Sequence, residues 1–280
     1  LSPSDSLSHR KSDVTIRVVD QFGNPLPDAT VDVGMTQHAF RFGTQIRGPL
    51  LAVTQAEFDG YTDQKKQGLL PNLTSLDQDR YTPTWQDVLN YRSAVINNFN
   101  HIVPGNDLQW QAFNGNGSAN PDAAYALAFA NGLTAGAVHV VWEKPDWPTP
   151  AEYRDGATFN PQDFHDDLIT DRLSSTGIMN FYSDSGPGVT ITDWNVLNEP
   201  LHVTHYSDTF ETAGIYASNI EAWADYFIRA DVIRPDARLL INDYNILNSA
   251  SDTATIQYRD LINSLLAAGA PIDRLSLIHI

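Results

Sequence analysis

Two hydrophobic rhythms take turns along this chain. From about residue 84 onward, amphipathic stretches of helical length each lead into a short and nearly continuous apolar run. Thr84 to Phe99 predicts a helix that feeds the strand "HIVPGND". "NPDAAYALAFANGLT", with Asn120 as its cap and Pro121 in its first turn, predicts a helix feeding "GAVHVVW". Residues 162–175 lead to "ITDWNVLNEP", residues 211–233 to "ARLLINDYN", and residues 253–268 to "RLSLIHI". With "HAFRFGTQI" these make six strands, each apolar on both faces, as in a parallel sheet covered by helices. Before them, residues 1–12 are polar, and two alternating runs around a Gly-Asn-Pro turn predict a β-hairpin over residues 13–36. The expected division is therefore a leader with a hairpin appendage (1–37) and one main domain (38–280). Residues 47–82 lack clean periodicity and read as a long loop with short helical pieces.

Charge narrows the partners. Among 280 residues, 34 acidic side chains face 17 basic ones, a net charge of −17 that repels nucleic-acid backbones and anionic membranes. With no cysteine, there is no disulfide, thiolate nucleophile or Cys-based zinc site. No apolar run reaches the roughly 20 residues of a membrane helix. The chain opens on Leu1, as a mature form or a fragment would. The composition suits a protein handling a neutral ligand such as a sugar.

Polar groups gather where the predicted strands end: Gln45, Asn106, Trp142 with Glu143, Asn198 with Glu199, Asn242 with Asp243, and His279. Functional groups at the C-terminal ends of consecutive parallel strands predict a (β/α)8 barrel, with about six β/α units in this chain. A doubly wound sheet is the rival, but no Gly-rich phosphate turn follows any strand. Glu199 stands at the exit of a strand whose Trp194 and Leu197 offer apolar walls, the setting that keeps a carboxyl protonated for acid catalysis. Asn198 beside it can bond a sugar hydroxyl, and Trp142 and Trp147 offer flat faces for sugar rings, with barrel core as the alternative for Trp142. Glu199, His202 and His205 also form a possible metal set, but Pro200 interrupts any shared helical turn and the HExxH order is absent.

These segments resemble, in order, the strands of glycoside hydrolase family 10, the endo-xylanase family. "DWNVLNEP" is similar to its "WDVVNE" strand, "FNHIVPGNDLQW" to "FN..TPEN.MKW", and "HVVWEKPDW" to "GHTLVWH.Q.P.W". "LLINDYNIL" resembles "YNDYN", and "PIDRLSLIHI" resembles "PIDGIGFQSH". The resemblance implies a (β/α)8 barrel and a retaining, endo-acting hydrolase of β-1,4-xylan or a related plant polysaccharide. It implies Glu199 as general acid/base, Asn198 as partner of the sugar 2-hydroxyl, and Asn106, Gln109 and Trp142 at the glycone subsites. Tyr244 and His279 would orient the nucleophile. In the family that nucleophile is a Glu in an "ITELD"-like segment of the seventh strand, so the domain is expected to be incomplete at its C-terminus. The expected protein is a secreted bacterial monomer that takes a polysaccharide, with no cofactor, no metal, and no nucleic-acid or membrane partner. A glucanase or mannanase, or a barrel that binds carbohydrate without cutting it, are the alternatives. Departures fall on the glycone side: Gly105 replaces a Glu, Gln109 a Lys and Val138 a His, while His139, one position on, is expected to point to the opposite face of its strand.

Overall fold

The protein is described from a computed structural model over residues 15–34, 41–70, 81–182, 191–246 and 253–278. It divides into two units, Leu1–Ala39 and Phe40–Ile280.

In the first unit the expected turn is present. The Asp20 carboxylate accepts from the N–H groups of Phe22 (2.8 Å) and Asn24 (2.9 Å), and Leu26 N–H donates to the Val18 carbonyl (3.0 Å). The predicted long arms are not found among the described residues; one antiparallel bridge, Val19 with Pro25, takes their place. Pro25 and Pro27 explain the shortfall, because neither can donate to a ladder on the return arm.

The second unit holds a seven-segment parallel sheet: β1 (Gly43–Ile46), β2 (His101–Pro104), β3 (Thr134–Ala137), β4 (Val141–Trp142), β5 (Asp193–Asn198), β6 (Arg238–Tyr244) and β7 (Arg274–Ile278). The order β1-β2-β3-β5-β6-β7 follows the chain, every pairing is parallel, and β4 pairs with the upper half of β5. The six predicted strands become seven segments because "GAVHVVW" breaks between Ala137 and Val141, around the cis Val138–His139 peptide. Helices cross between the strands, giving, among the described residues, six successive strand positions of a partial (β/α)8 barrel with helical crossovers between them.

Local chemistry sets the helix ends. Trp85–Asn98 (α1) starts at Thr84, whose side chain exchanges bonds with Asp87 in a capping box. Pro161–Arg172 (α2) starts at Asn160, which caps Gln162 N–H at 3.0 Å. The single helix expected over 211–233 is two, His205–Thr212 (α3) and Asn219–Ile233 (α4). Gly214 at φ +73° ends the first, and Ser218 caps the second. Asn120 is not a cap: it lies inside the helix Ala119–Ala130 and its amide donates to Asp107 at 3.4 Å. Between β1 and α1, residues 48–67 form three five-residue helices. The last helix, Thr253–Ala267 (α5), runs as predicted. Among the described residues no helix is long and apolar enough to cross a membrane.

All six residues of β5 are buried, as a central strand covered on both faces requires. At its N-terminal end Asp193 gathers Arg41, Arg238 and Arg274. Burial alone would raise that carboxyl, but Arg238 and Arg41 override it and hold it down to about 2. Toward the other end, Arg172 at the close of α2 is 1% exposed and donates to three carbonyls: Val140 (2.9 Å), Leu108 (2.6 Å) and His139 (2.7 Å). Those bonds fasten the break in "GAVHVVW" to the turn after β2, which are the two segments that carry Trp142 and Asn106. Arg172→Met should leave all three carbonyls without their donor and lower the unfolding free energy by about 3–5 kcal/mol, measured by urea titration. A loss below about 1 kcal/mol would contradict this role.

Candidate active site

The site grows from the last rung of the β5–β6 ladder. Asn198 pairs with Asn242 in register, and Glu199 N–H donates to the Asn242 carbonyl at 2.7 Å. The backbone then turns into the left-handed region at Glu199 (φ +55°), a conformation that costs a non-glycine residue about 1–2 kcal/mol. Two donors hold it there: His202 N–H (2.9 Å) and Val203 N–H (3.1 Å) both reach the Glu199 carbonyl. Pro200, between Glu199 and these donors, brings no donor of its own. The turn sets the Glu199 side chain, half-buried, at the C-terminal end of the sheet.

There the carboxylate accepts from Trp142 Nε1 at 3.1 Å. Trp142 is held by the edge of His139 (ring centroids 5.4 Å apart) and by Lys144 Nζ, 5.1 Å over its ring. Burial raises the Glu199 carboxyl above the ordinary glutamate value, and the charge of Asp243 adds to the rise. The neighbouring Asn198 amide, the bond from Trp142 and the charge of His202 oppose it. Such a carboxyl can carry a proton to an acceptor and take one back.

Asn198 is 1% exposed; its Oδ1 accepts from Asn242 Nδ2 at 2.7 Å, while its Nδ2 has no hydrogen-bond partner in the protein. A fixed donor therefore stands beside the acid. Tyr244 ends β6 and stacks flat on His202, with centroids 3.8 Å apart and 18° between planes. Asn106 is exposed after β2, and its Oδ1 accepts from Gln109 Nε2 at 2.8 Å. Gln109 itself is 2% exposed, so it reaches the site through Asn106. His279 lies outside the described residues.

His139 differs from its expected placement. It lines the cavity of about 420 Å³ along the inner face of the sheet, with Gln45, Asn195 and Asn242 among its neighbours, and its Nδ1 pairs with Asn195 Nδ2 at 2.9 Å. Alternation counted along an unbroken strand puts it on the outer face, but the strand is broken there. Burial, with Arg172 nearby, pushes the ring down to about 3, so it is neutral and Nδ1 accepts. In the possible metal set, His202 is taken by Asp243 (Nδ1–Oδ1 2.8 Å) and His205 pairs with the Tyr153 carbonyl (2.8 Å). Among the described residues no cluster of His, Asp and Glu could hold a metal.

Four residues that the sequence singles out without a place in the site turn out to shape it. Asn242, Asp243 and His202 brace the Glu199 turn. Glu143, beside Trp142, is fully buried and accepts from Ser207 Oγ (2.6 Å), Ser207 N–H (3.2 Å) and Trp223 Nε1 (3.1 Å), tying the end of β4 to α3 and α4. Both Asn242 and Asp243 stand in the "NDYN" string, so the signal was present; their long-range partners were not.

The glycosyl hydrolase family 10 model matches residues 74–277. The chain is 23% identical over 269 residues to the anti-sigma-I factor RsgI6 of Acetivibrio thermocellus, covering 94% of this chain and 28% of that protein. Xylanase 10C of Cellvibrio japonicus is 25% identical, with a TM-score of 0.55 over 68% of this chain and 39% of its own. Xylanase 10B of Thermotoga petrophila, solved with xylobiose, is 18% identical, with a TM-score of 0.53 over 68% of this chain and 55% of its own. The chain thus spans about a quarter of the curated relative and about half of the solved xylanases or less.

Glu143 gives the site region a measurable pH dependence. Burial pushes its carboxyl up from 4.5 to about 7, against the bonds from Ser207 and Trp223. Between those two values the folded protein keeps a proton that the unfolded chain has lost. Stability is therefore full below the lower value and falls as pH rises through the upper one, by on the order of 3 kcal/mol. Urea unfolding from pH 4 to 8 should show this decline, and Glu143→Gln should flatten it; an unchanged slope in the variant would contradict the assignment.

Proposed function

Since this chain belongs to glycosyl hydrolase family 10, we propose that the whole protein hydrolyses β-1,4-xylan internally with retention of anomeric configuration, using Glu199 as general acid/base. One observation carries the reading: a half-buried carboxyl with a raised proton affinity stands at the C-terminal end of the sheet, bonded to Trp142 Nε1 and beside the buried Asn198 Nδ2. In the first step protonated Glu199 gives its proton to the glycosidic oxygen as a second carboxylate attacks the anomeric carbon. In the second, ionised Glu199 takes a proton from the water that releases the sugar. Asn198 Nδ2 donates to the hydroxyl next to the anomeric carbon, and Asn106, Trp142 and Tyr244 line the sugar path.

Retention needs the second carboxylate about 5–5.5 Å from the first. Neither Asp243, engaged by His202 and Leu201 N–H, nor Glu143, engaged by Ser207 and Trp223, is free to take that role. The family resemblance supplies it as the Glu of an "ITELD"-like segment. A polymeric substrate calls for action outside the cell, and we read the protein as a secreted monomer.

Glu199→Ala in the whole protein should abolish xylan hydrolysis, whose poor leaving groups need protonation. It should spare glycosyl-enzyme formation from aryl xylosides with acidic phenols, and azide should then speed turnover. Full xylanase activity in this variant would remove the assignment. Xylan, mannan, β-glucan and cellulose assayed side by side should show xylan preferred. Preference for another polymer would favour a different glycanase, and binding without turnover a carbohydrate-binding barrel.

A further inference from the structure

The turn that carries Glu199 is braced by a carboxylate and an imidazole that the acid/base chemistry itself does not use. Asp243 is fully buried at the end of β6. Its Oδ2 accepts from Leu201 N–H at 3.1 Å, and its Oδ1 accepts from Tyr244 N–H at 2.8 Å and pairs with His202 Nδ1 at 2.8 Å. His202 N–H in turn holds the Glu199 carbonyl, and the His202 ring lies flat on Tyr244. One side chain of β6 therefore clamps residues 201 and 202 directly, and Glu199 through them.

We propose that the Asp243–His202 pair is the positioning device of the acid/base carboxyl, locking the turn beneath Glu199. The proposal rests on the acid/base reading of Glu199. His202 is its accessible half: its side chain is 32% exposed, while that of Asp243 is wholly covered. The two members act on Glu199 in opposite senses, since Asp243 raises its proton affinity and His202 lowers it. The other titratable groups facing the pair are Tyr244 on β6 and Tyr258 on α5, whose hydroxyl bonds the Ile241 carbonyl at 3.1 Å. Both phenols are pushed upward, by burial first and then by neighbouring carboxylate charge, so they stay neutral where Glu199 titrates. A change in either member of the pair is thus felt at Glu199 without a third titration intervening.

The test is a carbon-13 NMR titration of the protein labelled at its glutamate side-chain carboxyls. The sequence has only six glutamates, and Glu199→Gln identifies the signal of interest. His202→Phe keeps a flat ring against Tyr244 and removes the imidazole, so the Glu199 midpoint should move to higher pH. Asp243→Asn should move it to lower pH. The Glu143 signal, set by burial and by Ser207 and Trp223, should stay in place in both. In the active protein the alkaline limb of the kcat/KM profile should follow the same two directions. An unmoved Glu199 midpoint in His202→Phe, a shift in the same direction for both variants, or an equal shift of Glu143 would overturn the proposal. If buried Asp243→Asn does not fold, His202→Phe decides alone. The midpoint is read without turnover: an inactive protein would count against the functional reading, whereas an active one with an unmoved midpoint would count against the pair only.

Discussion

The site depends on where one ladder stops. β5 and β6 pair in parallel up to Asn198 and Asn242, and the next rung is a single bond from Glu199 N–H to the Asn242 carbonyl. Beyond it the chain enters the left-handed region, which an ordinary side chain adopts only when surrounding bonds over-determine it. Here they do: the two N–H groups of residues 202 and 203 converge on one carbonyl, and Asp243 anchors the segment that supplies them. A register slip of one residue would carry Glu199 to the other face and leave Asn198 and Asn242 unable to meet. The buried Asn198–Asn242 pair stands against such a slip, because it would leave two amides in the core without each other.

The two ends of β5 show how burial and partners divide the work of carboxylates. Asp193, at the start, is ringed by three arginines and stays ionised. Glu199, at the exit, meets burial and a second carboxylate, opposed only by neutral donors and one histidine, and so holds its proton more tightly. Glu143 is more buried still, but it faces α3 and α4. Glu199 combines raised proton affinity with a half-buried place at the C-terminal end of the sheet, and that combination, rather than burial alone, is what an acid/base role requires.

The parallel order and the exits of the strands were legible in the sequence because each rests on short-range pattern. "DWNVLNEP" reads as a buried strand stopped by Pro200, and "NDYN" as the exit of the next one. What was not legible is what the fold brings together from afar. The Asp243–His202 bond spans 41 residues and the Trp142–Glu199 bond 57. The side on which His139 points follows from a strand break that periodicity does not register. Asn120 has the residue type of a cap, but Asp107 claims its amide. A helical rhythm from residue 211 onward hides the stop at Gly214, which is visible only through its backbone angle.

The central claim is that Asn198 and Glu199 meet the sugar at the bond to be cut. The most direct measurement is a crystal structure of the whole protein carrying Glu199→Gln with a xylo-oligosaccharide bound. The account predicts Asn198 Nδ2 donating to the hydroxyl beside the anomeric carbon, with the residue 199 amide within hydrogen-bond reach of the glycosidic oxygen. A chain of sugars bound elsewhere on the protein, or crossing this cleft while Asn198 Nδ2 stays unmet, would contradict it.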